Sequence, residues 1–282
     1  MKKLKKLKIS EQILQSENIS LVLENVSFSY GKHKILHDIN FSLKTNDFTS
    51  LCGKNGSGKS TLLEIIACLN EKVLKSSQIF LQFQDEKIPL CHLDFKERAK
   101  IISFMPQNET PAWNFEVFDF ILSGRFAQKS SFYTEKDFEK VLEITESLKI
   151  SNLLEKNIFE LSGGEFQKIR LARTLVQDAK FIILDEPLNF LDISFEKEFM
   201  MLLKDFSQKN KKGVLFSSHN LNSASYFAEK AVLISEFQQN ENHQIFLEGK
   251  CSEIFTSEIL SSVYGGKISV FYHPISGKPI IE

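Results

Sequence analysis

The chain has 282 residues, and its 35 Lys and Arg residues against 36 Asp and Glu residues give a formal net charge of −1 at pH 7. This balance provides no positive field over the whole molecule, so we expect no nucleic-acid partner. A hydrophobic share of 42%, with 12 Gly and 6 Pro, excludes a disordered or collagen-like chain. No apolar run approaches the roughly 20 residues that cross a bilayer, so no membrane-spanning segment is predicted.

The four cysteines lie far apart, without the paired spacing of a zinc site or a disulfide framework, which favours a reducing cytoplasm. Residues 1–18 are predicted to be a basic N-terminal extension, because five of the first eight residues are lysines. The apolar segment of a secretory signal does not follow them. We therefore expect a solvated, frayed terminus there.

The first predicted elements are strands. Residues 19–30 alternate apolar and polar side chains, Gly31 interrupts the pattern, and residues 35–43 resume it, which predicts an antiparallel hairpin. Residues 48–52 form a short apolar strand that runs into a glycine-rich segment. Apolar positions at helical spacing come next, so the predicted order is strand, loop, helix.

The rest of the chain alternates helices with apolar strands. Residues 117–154 repeat apolar positions every three or four residues, which predicts a helical insert with bounds of about 108–165. After it come, in order, a helix that opens at Ser162, a buried strand at residues 181–184, another helix, a strand at residues 214–217 and a helix from Leu221. This alternation predicts an α/β core with a largely parallel sheet.

The glycine-rich segment from Gly53 to Ser60 fits the pattern G-x-x-x-x-G-K-[ST], between a predicted strand and a predicted helix. Glycines let successive backbone N–H groups wrap around phosphate oxygens. Lys59 is placed to reach the β- and γ-phosphates, and the Ser60 hydroxyl to ligate Mg²⁺. The predicted nucleotide-binding residues here are Gly53, Asn55, Gly56, Ser57, Gly58, Lys59, Ser60 and Thr61.

A second site signal follows the buried strand at residues 181–184. That strand delivers Asp185 and Glu186 to its C-terminal end, where ligands of open α/β sheets bind. Asp185 is placed to hold Mg²⁺, and Glu186 to polarise a water molecule aimed at the γ-phosphate. We therefore predict a metal ligand and a general base at adjacent positions.

A third motif, Leu-Ser-Gly-Gly-Glu, begins at Leu161. With the phosphate loop and the carboxylate pair, it resembles the signature of the ATP-binding cassette (ABC) family. The resemblance implies a P-loop NTPase (RecA-like) core with an antiparallel β subdomain and a helical insert, and ATP and Mg²⁺ as cofactors. In that family Ser162, Gly163 and Gly164 would cover the γ-phosphate of ATP bound by a second copy, which implies a head-to-tail homodimer.

Further residues match family positions in chain order. The resemblance implies that Tyr30 stacks on adenine, that Asp192 belongs to the loop crossing the dimer interface, and that His219 contacts the γ-phosphate. Gln107 matches the glutamine that senses Mg²⁺ and the attacking water. Catalytic roles are thus implied for Glu186, His219 and Gln107, and metal ligation for Ser60, Gln107 and Asp185.

The resemblance implies one ATPase domain over residues 19–250, with residues 251–282 as its C-terminal extension. Segments at residues 92–107, 117–126 and 255–279 are similar to cassettes that energise importers of iron chelates (siderophore or haem) and cobalamin. Such a cassette lies at the cytoplasmic face of the cell membrane. Its partners are separate polytopic permease subunits and, indirectly, an extracytoplasmic substrate-binding protein.

Two stretches depart from the family pattern. Residues 76–90 lack the usual glycine turn between two strands, and residues 236–244 resemble an insertion.

Three alternatives stay open. The first is the cassette of a zinc or manganese importer. The second is a soluble ABC-type ATPase that acts as a nucleotide-dependent switch on nucleic acid or the ribosome, which the single phosphate loop and single signature disfavour. The third is an ATP-binding regulatory module with little turnover, and the presence of Glu186, Gln107 and His219 argues against it.

Overall fold

The computed structural model describes residues 8–75, 78–111, 113–128, 132–189, 191–238 and 244–282. Its helices are α1 (Glu11–Gln15), α2 (Lys59–Ile66), α3 (Glu71–Lys75), α4 (Phe95–Ile101), α5 (Val117–Leu122), α6 (Glu135–Ser147), α7 (Gly163–Val176), α8 (Ile193–Asn210), α9 (Leu221–Phe227), α10 (Cys251–Ile254) and α11 (Ser257–Tyr264). Its strands are β1 (Ile19–Tyr30), β2 (His33–Lys44), β3 (Phe48–Cys52), β4 (Ile79–Phe83), β5 (Glu86–Pro89), β6 (Ile102–Met105), β7 (Phe181–Leu184), β8 (Gly213–Ser218), β9 (Lys230–Ile234), β10 (Phe246–Lys250), β11 (Val270–Tyr272) and β12 (Pro279–Ile281).

An antiparallel sheet of four strands, in the order β2-β1-β4-β5, forms the first layer. The predicted hairpin is confirmed, since β1 pairs with β2 from Ser20 opposite Lys44 to Tyr30 opposite His33. Residues in the first half of β1 alternate between buried and partly buried, so one face of the sheet packs on the core. In the turn between β4 and β5, Gln84 adopts left-handed backbone with a φ of 52°. A side-chain-bearing residue thus takes the place of the missing glycine, at a cost of about 1 kcal/mol.

The second sheet has six strands in the order β10-β9-β3-β8-β7-β6. Each neighbouring pair from β9 to β6 is parallel, and β10 runs antiparallel to β9. The strands β3, β7 and β8 are buried along their whole length. The continuous apolar sequence of β7 predicts this, whereas β3 and β8 also bury hydroxyl side chains. Because parallel strands end at a common edge, the loops after β3, β7 and β8 are brought together.

The helical insert packs against α7. The helices α5 and α6 lie within the segment predicted to be helical, and their inward residues belong to the core that also holds α7, among them Val117, Phe120, Val141 and Ile144. Arg125 ties this region together, because it donates to Asp137 Oδ1 at 2.8 Å and to the Val176 carbonyl at 3.0 Å. Across the described ranges, no helix is both long and apolar enough to cross a bilayer.

The residues before β1 pack on the fold instead of fraying. Ile9 and Ile13 are 7% and 6% exposed, and Ser10 caps the N-terminus of α1. The Ile9 N–H donates to Glu97 Oε2 at 3.0 Å. The expectation of a frayed, solvated terminus therefore fails from Ile9 onward, because apolar side chains hidden among the lysines reach the core. Residues 1–7, which hold four of the lysines, lie outside the described residues.

The last residues of the chain are hydrogen-bonded to α9, the helix that follows β8. Asn222 of α9 donates to the Ile281 carbonyl at 3.0 Å and accepts from the Ile281 N–H at 2.8 Å. Ser225 Oγ donates to the Pro279 carbonyl at 2.8 Å. The hairpin of β11 and β12 is thus attached through its second strand to α9.

The stretch that the sequence marks as an insertion returns to the antiparallel sheet. Residues 239–243 lie outside the described residues, but Gln244, at the end of the stretch, is 9% exposed. Its Oε1 accepts from the His37 N–H at 3.0 Å, and its Nε2 donates to the Ile35 carbonyl at 3.0 Å. The end of this stretch is therefore anchored on β2, close in sequence to residues of the site described below.

Candidate active site

The loops after β3, β7 and β8 meet at the carboxyl edge of the parallel sheet. They carry the phosphate-loop sequence, the Asp185–Glu186 pair and His219, and the residue that follows β6 by two, Gln107, reaches the same place. A cavity of about 620 Å³ opens between them. Its described lining residues are Ile35, Asn55, Gly56, Gly58, Lys59, Ser60, Thr61, Gln107, Glu186, Asn189 and His219.

The glycine-rich loop can take its path only without side chains at two positions. A Cβ added to Gly53 would lie 2.2 Å from the Ile234 carbonyl oxygen. Gly58, just before α2, has a φ of 97°, and a Cβ there would lie 2.9 Å from Ile35 Cγ2. The loop therefore forms a narrow cradle of exposed backbone that ends at a helix N-terminus, which is a favourable place for an anion.

Lys59 crosses the inside of this cradle. It is 6% exposed, and its Nζ donates to the Gly53 carbonyl at 2.8 Å and to the Lys54 carbonyl at 3.0 Å. Burial lowers the pKa of Lys59, while the Glu186 carboxylate opposes that shift. A cation held by two carbonyls of the loop, in a cavity that Ser60 and Thr61 also line, fits a bound phosphate chain.

Asp185 is buried and oriented by a neighbouring strand. It is 4% exposed, and Ser217 of β8 donates its hydroxyl to Asp185 Oδ1 at 2.6 Å. The same Ser217 oxygen accepts from the Glu186 N–H at 2.7 Å. One hydroxyl thus fixes both acidic positions. A carboxylate and a hydroxyl are oxygen ligands of the kind that Mg²⁺ prefers, so Asp185 and Ser60 fit that ion by their chemistry.

Glu186 is held in an uncommon backbone conformation. Its φ is 46°, in the left-handed region, which costs a residue with a side chain on the order of 1 kcal/mol. Its Oε2 accepts from Gln107 Nε2 at 2.9 Å and from Asn189 Nδ2 at 2.5 Å. His219 Nδ1 lies 3.9 Å from the same oxygen. The carboxylate is therefore fixed at the cavity by amide donors and stays close to an imidazole.

Most of the predicted phosphate-loop and catalytic residues come together here. Gly53, Ser57 and Asp185 are buried instead of lining the cavity. Gln107 and His219 join the loop from distant parts of the chain, as the sequence predicts. The remaining predicted binding residues lie elsewhere in the single chain, outside the described lining of this cavity: Tyr30, Ser162, Gly163, Gly164 and Asp192.

Those remaining residues are on the surface. Tyr30 is 55% exposed and packs edge-on against Phe28, with ring centroids 4.8 Å apart. Ser162 is exposed and caps α7, where its hydroxyl accepts from the Glu165 N–H at 3.3 Å. Asp192 is exposed at the start of α8. Ser162 and Asp192 are thus exposed at helix N-termini, where a second molecule could contact them.

Sequence reasoning did not assign three residues of the site. Ser217 lies two positions before His219 at the end of a buried strand, which is a recognisable location. Asn189 stands three positions after Glu186, but the reach of its amide to the carboxylate depends on the turn between them. Ile35 lines the cavity because β2 packs over Gly58, and this contact between a strand and the glycine-rich loop has no local sequence signal.

Comparison with known proteins gives a consistent result. A family model described as ABC transporter matches residues 36–189. The chain is 30% identical over 260 residues to a Helicobacter pylori protein described as a probable iron chelatin transport ATP-binding protein, covering 90% of this chain and 96% of that one. It is 31% identical over 248 residues to the petrobactin import ATP-binding protein of Bacillus subtilis, covering 88% and 94% of the two chains.

Solved structures agree with this assignment. A structure described as an inward-facing metal-chelate type ABC transporter matches with a TM-score of 0.74 and 25% identity, over 94% of this chain and 96% of that chain. A dimeric structure of a bacterial ABC transporter cassette matches with a TM-score of 0.61 and 26% identity, over 76% and 93%. The predicted fold class, a P-loop NTPase core with an antiparallel β subdomain and a helical insert, is thereby confirmed. The chain belongs to the ABC transporter family, as one of its ATP-binding cassettes.

Proposed function

We propose that the chain is the ATP-hydrolysing subunit of an importer that takes up an iron chelate through separate membrane subunits. One observation carries the hydrolytic part of this proposal. The Glu186 carboxylate is fixed by Gln107 and Asn189 at a cavity that also holds Lys59. A carboxylate positioned by neutral donors, opposite a phosphate cradle, suits a general base for hydrolysis better than a passive nucleotide sensor.

The residues that line the cavity, together with the buried Asp185, have different roles in the proposed hydrolysis. The backbone of the loop, with Lys59, binds the phosphates of ATP, and Ser60, Asp185 and Gln107 are the residues that would hold Mg²⁺. When bound, Mg²⁺ neutralises charge on the transferred phosphoryl group. Glu186 accepts a proton from the attacking water. His219 is the imidazole beside Glu186 and would contact the γ-phosphate.

A second copy of the chain would complete each site. Ser162, Gly163 and Gly164 form an exposed helix N-terminus whose N–H groups are suited to an anion, and they lie outside the cavity lining described for their own chain. In a head-to-tail dimer this surface would cover the γ-phosphate held by the partner's phosphate loop, with Asp192 at the interface and Tyr30 against the adenine. The dimeric cassette among the similar structures supports the formation of a dimer.

The names of the relatives indicate the class of cargo. Proteins named for iron chelatin and petrobactin transport align over 90% and 88% of this chain, which favours a siderophore-type iron chelate over haem, cobalamin, zinc or manganese. A permease and, indirectly, an extracytoplasmic binding protein complete such a system, and the cassette would lie at the cytoplasmic face of the membrane. Substrate identity depends on those partners.

A copurification experiment tests the transport part of the proposal. The Glu186→Gln chain, which is expected to retain ATP without turnover, is tagged and extracted from native membranes in mild detergent with ATP and Mg²⁺. We expect a polytopic permease to copurify at equal stoichiometry. In a separate uptake assay, cells should take up a ferric chelate only when they contain this chain in active form. Recovery of ribosomes or nucleic acid in place of a permease would overturn the transport proposal and favour a soluble ATP-dependent switch.

A further inference from the structure

Helix α7 reaches from the exposed signature to the buried side of the catalytic loops. Ser162 caps its N-terminus at the surface, whereas Gln167 and Arg170 on its next turns are each 4% exposed. Full burial of a guanidinium costs several kcal/mol unless its hydrogen bonds are made inside the protein. The partners of Arg170 therefore indicate what this position does.

Arg170 donates its hydrogen bonds to the loop that carries Gln107. Its Nη2 donates to the Pro106 carbonyl, and both Nη atoms lie 3.5 Å from the Gln107 carbonyl, at the long end of the hydrogen-bond range. Its Nε lies 3.4 Å from Glu109 Oε2. One planar side chain therefore contacts the loop at Pro106, Gln107 and Glu109, which a single-point cation such as lysine cannot reproduce.

A second arginine of α7 also holds the loop. Arg173, one turn further along α7, donates from Nη2 to Glu109 Oε2 at 2.8 Å and pairs with Glu109 Oε1 through Nη1. Glu109 therefore compensates both arginines, two residues beyond Gln107. The segment from Pro106 to Glu109 is clamped to α7 by charged hydrogen bonds, which are the stronger kind.

A second contact from the same helix fixes the orientation of Arg170. Gln167 accepts from Arg170 Nη1 at 2.7 Å, and its own Nε2 donates to the Pro187 carbonyl at 2.6 Å. Pro187 directly follows Glu186. The helix is thereby bound to the loops of both Gln107 and Glu186, and the Gln107 amide closes the arrangement by donating to Glu186 Oε2 at 2.9 Å.

We infer that Arg170 is a positioning residue for Gln107. It fixes the Gln107 backbone relative to the signature helix, so that the Gln107 amide meets the Glu186 carboxylate and any shift of α7 moves that amide. This inference rests on the proposed ATP hydrolysis. It also gives α7 a mechanical role, because a displacement at Ser162 would be transmitted along one rigid helix to the catalytic glutamine.

Replacement of Arg170 by Met keeps the apolar stem and removes the hydrogen bonds. We expect kcat for ATP hydrolysis by the purified full chain to fall about tenfold, because misplacing a reacting group by a fraction of an ångström is enough for such a loss. The KM for ATP should stay within about twofold, since Arg170 does not line the described cavity. Arg170→Lys, which keeps the charge but cannot reach all three loop positions, should fall between the wild type and Met.

Arg125→Met is the matched control. Arg125 is also a mostly buried arginine, and it binds the carboxylate of Asp137. It contacts α7 as well, but through the carbonyl of Val176 at the C-terminal end of that helix. Its loss should lower thermal stability without lowering kcat at a temperature where the variant is folded. The inference is wrong if Arg170→Met leaves kcat unchanged. It is also wrong if Arg170→Met, like Arg125→Met, lowers only thermal stability.

A double-mutant cycle gives the decisive readout. If Arg170 acts through Gln107, then Arg170→Met in a Gln107→Ala background should lower kcat by less than about twofold further, because the group being positioned is already absent. An additional tenfold loss in that background would show a purely structural effect and overturn the inference. Failure of the proposed function is separate from both outcomes, since it appears as absence of hydrolysis by the wild-type chain.

Discussion

Glu186 shows how several weak constraints define the position of one side chain at the cavity. Its left-handed backbone is stabilised by the Ser217 hydroxyl, which accepts from the Glu186 N–H, and its side chain is fixed by two amides. Strain of this kind persists only where surrounding contacts determine the conformation. The geometry is therefore a property of the β7–β8 edge and the Gln107 loop together.

Glu186→Gln is expected to lower steady-state phosphate release at least 100-fold, because the amide keeps the shape but cannot accept a proton. ATP affinity should be retained, since Lys59 and the loop backbone are unchanged. Phosphate release and equilibrium ATP binding would be measured on the same preparation. Glu229→Gln, at a largely exposed carboxylate paired with Lys204, is the control and should keep full activity. Unchanged turnover in the Glu186 variant would exclude it as the base.

Lys59→Ala is expected to raise the dissociation constant for ATP about 100-fold, because the buried ammonium supplies charge-assisted hydrogen bonds to the phosphates. Lys54→Ala provides the control on the same loop, since the Lys54 side chain is exposed and only its backbone carbonyl contacts Lys59. Its ATP affinity should change less than about twofold. Calorimetric titration with ATP and Mg²⁺ separates the two variants, and equal affinities would contradict the cradle assignment.

At the level of elements, the contribution of α1 can be tested by stability. Ile13→Ala removes a buried side chain and should lower the free energy of unfolding by about 2–4 kcal/mol. Ile275→Ala, at a side chain 91% exposed, should change it by less than about 0.5 kcal/mol. Urea unfolding followed by circular dichroism measures both. A neutral Ile13 variant would mean that residues before β1 do not stabilise the fold.

The sequence predicts those elements whose signal is local. The apolar run of β7 and the Ser162 cap need only a few neighbouring residues to be recognised. The packing of Ile9 against the core and the pairing of Asn222 with Ile281 depend on residues far away in the chain. The same limit applies to the site. The phosphate loop can be recognised from its sequence motif, whereas the contacts of Arg170 with the Gln107 loop form only when α7 packs beside that loop.

At the scale of the whole molecule, we expect ATP to bring two chains together. The Glu186→Gln chain should sediment as a dimer with ATP and Mg²⁺ and as a monomer without nucleotide. Adding Ser162→Arg should prevent dimerisation while leaving ATP binding intact, because a bulky side chain then occupies the exposed helix N-terminus. Ser262→Arg, at another exposed serine near the end of α11, is the control and should still dimerise. Dimers that form equally well with Ser162→Arg would contradict the composite site.

The order of strands in the parallel sheet has a consequence during synthesis on the ribosome. Phe48 of β3 lies opposite Val214 of β8, and Thr49 lies opposite Lys230 of β9. Strand β3, which precedes the phosphate loop, therefore cannot pair with β8 and β9 until most of the chain has been translated. That interval is on the order of 10 s. A nascent chain cannot build the nucleotide cradle before that time. Under the proposed function, ATP capture is thus delayed until the loops that carry Glu186 and His219 have also been synthesised.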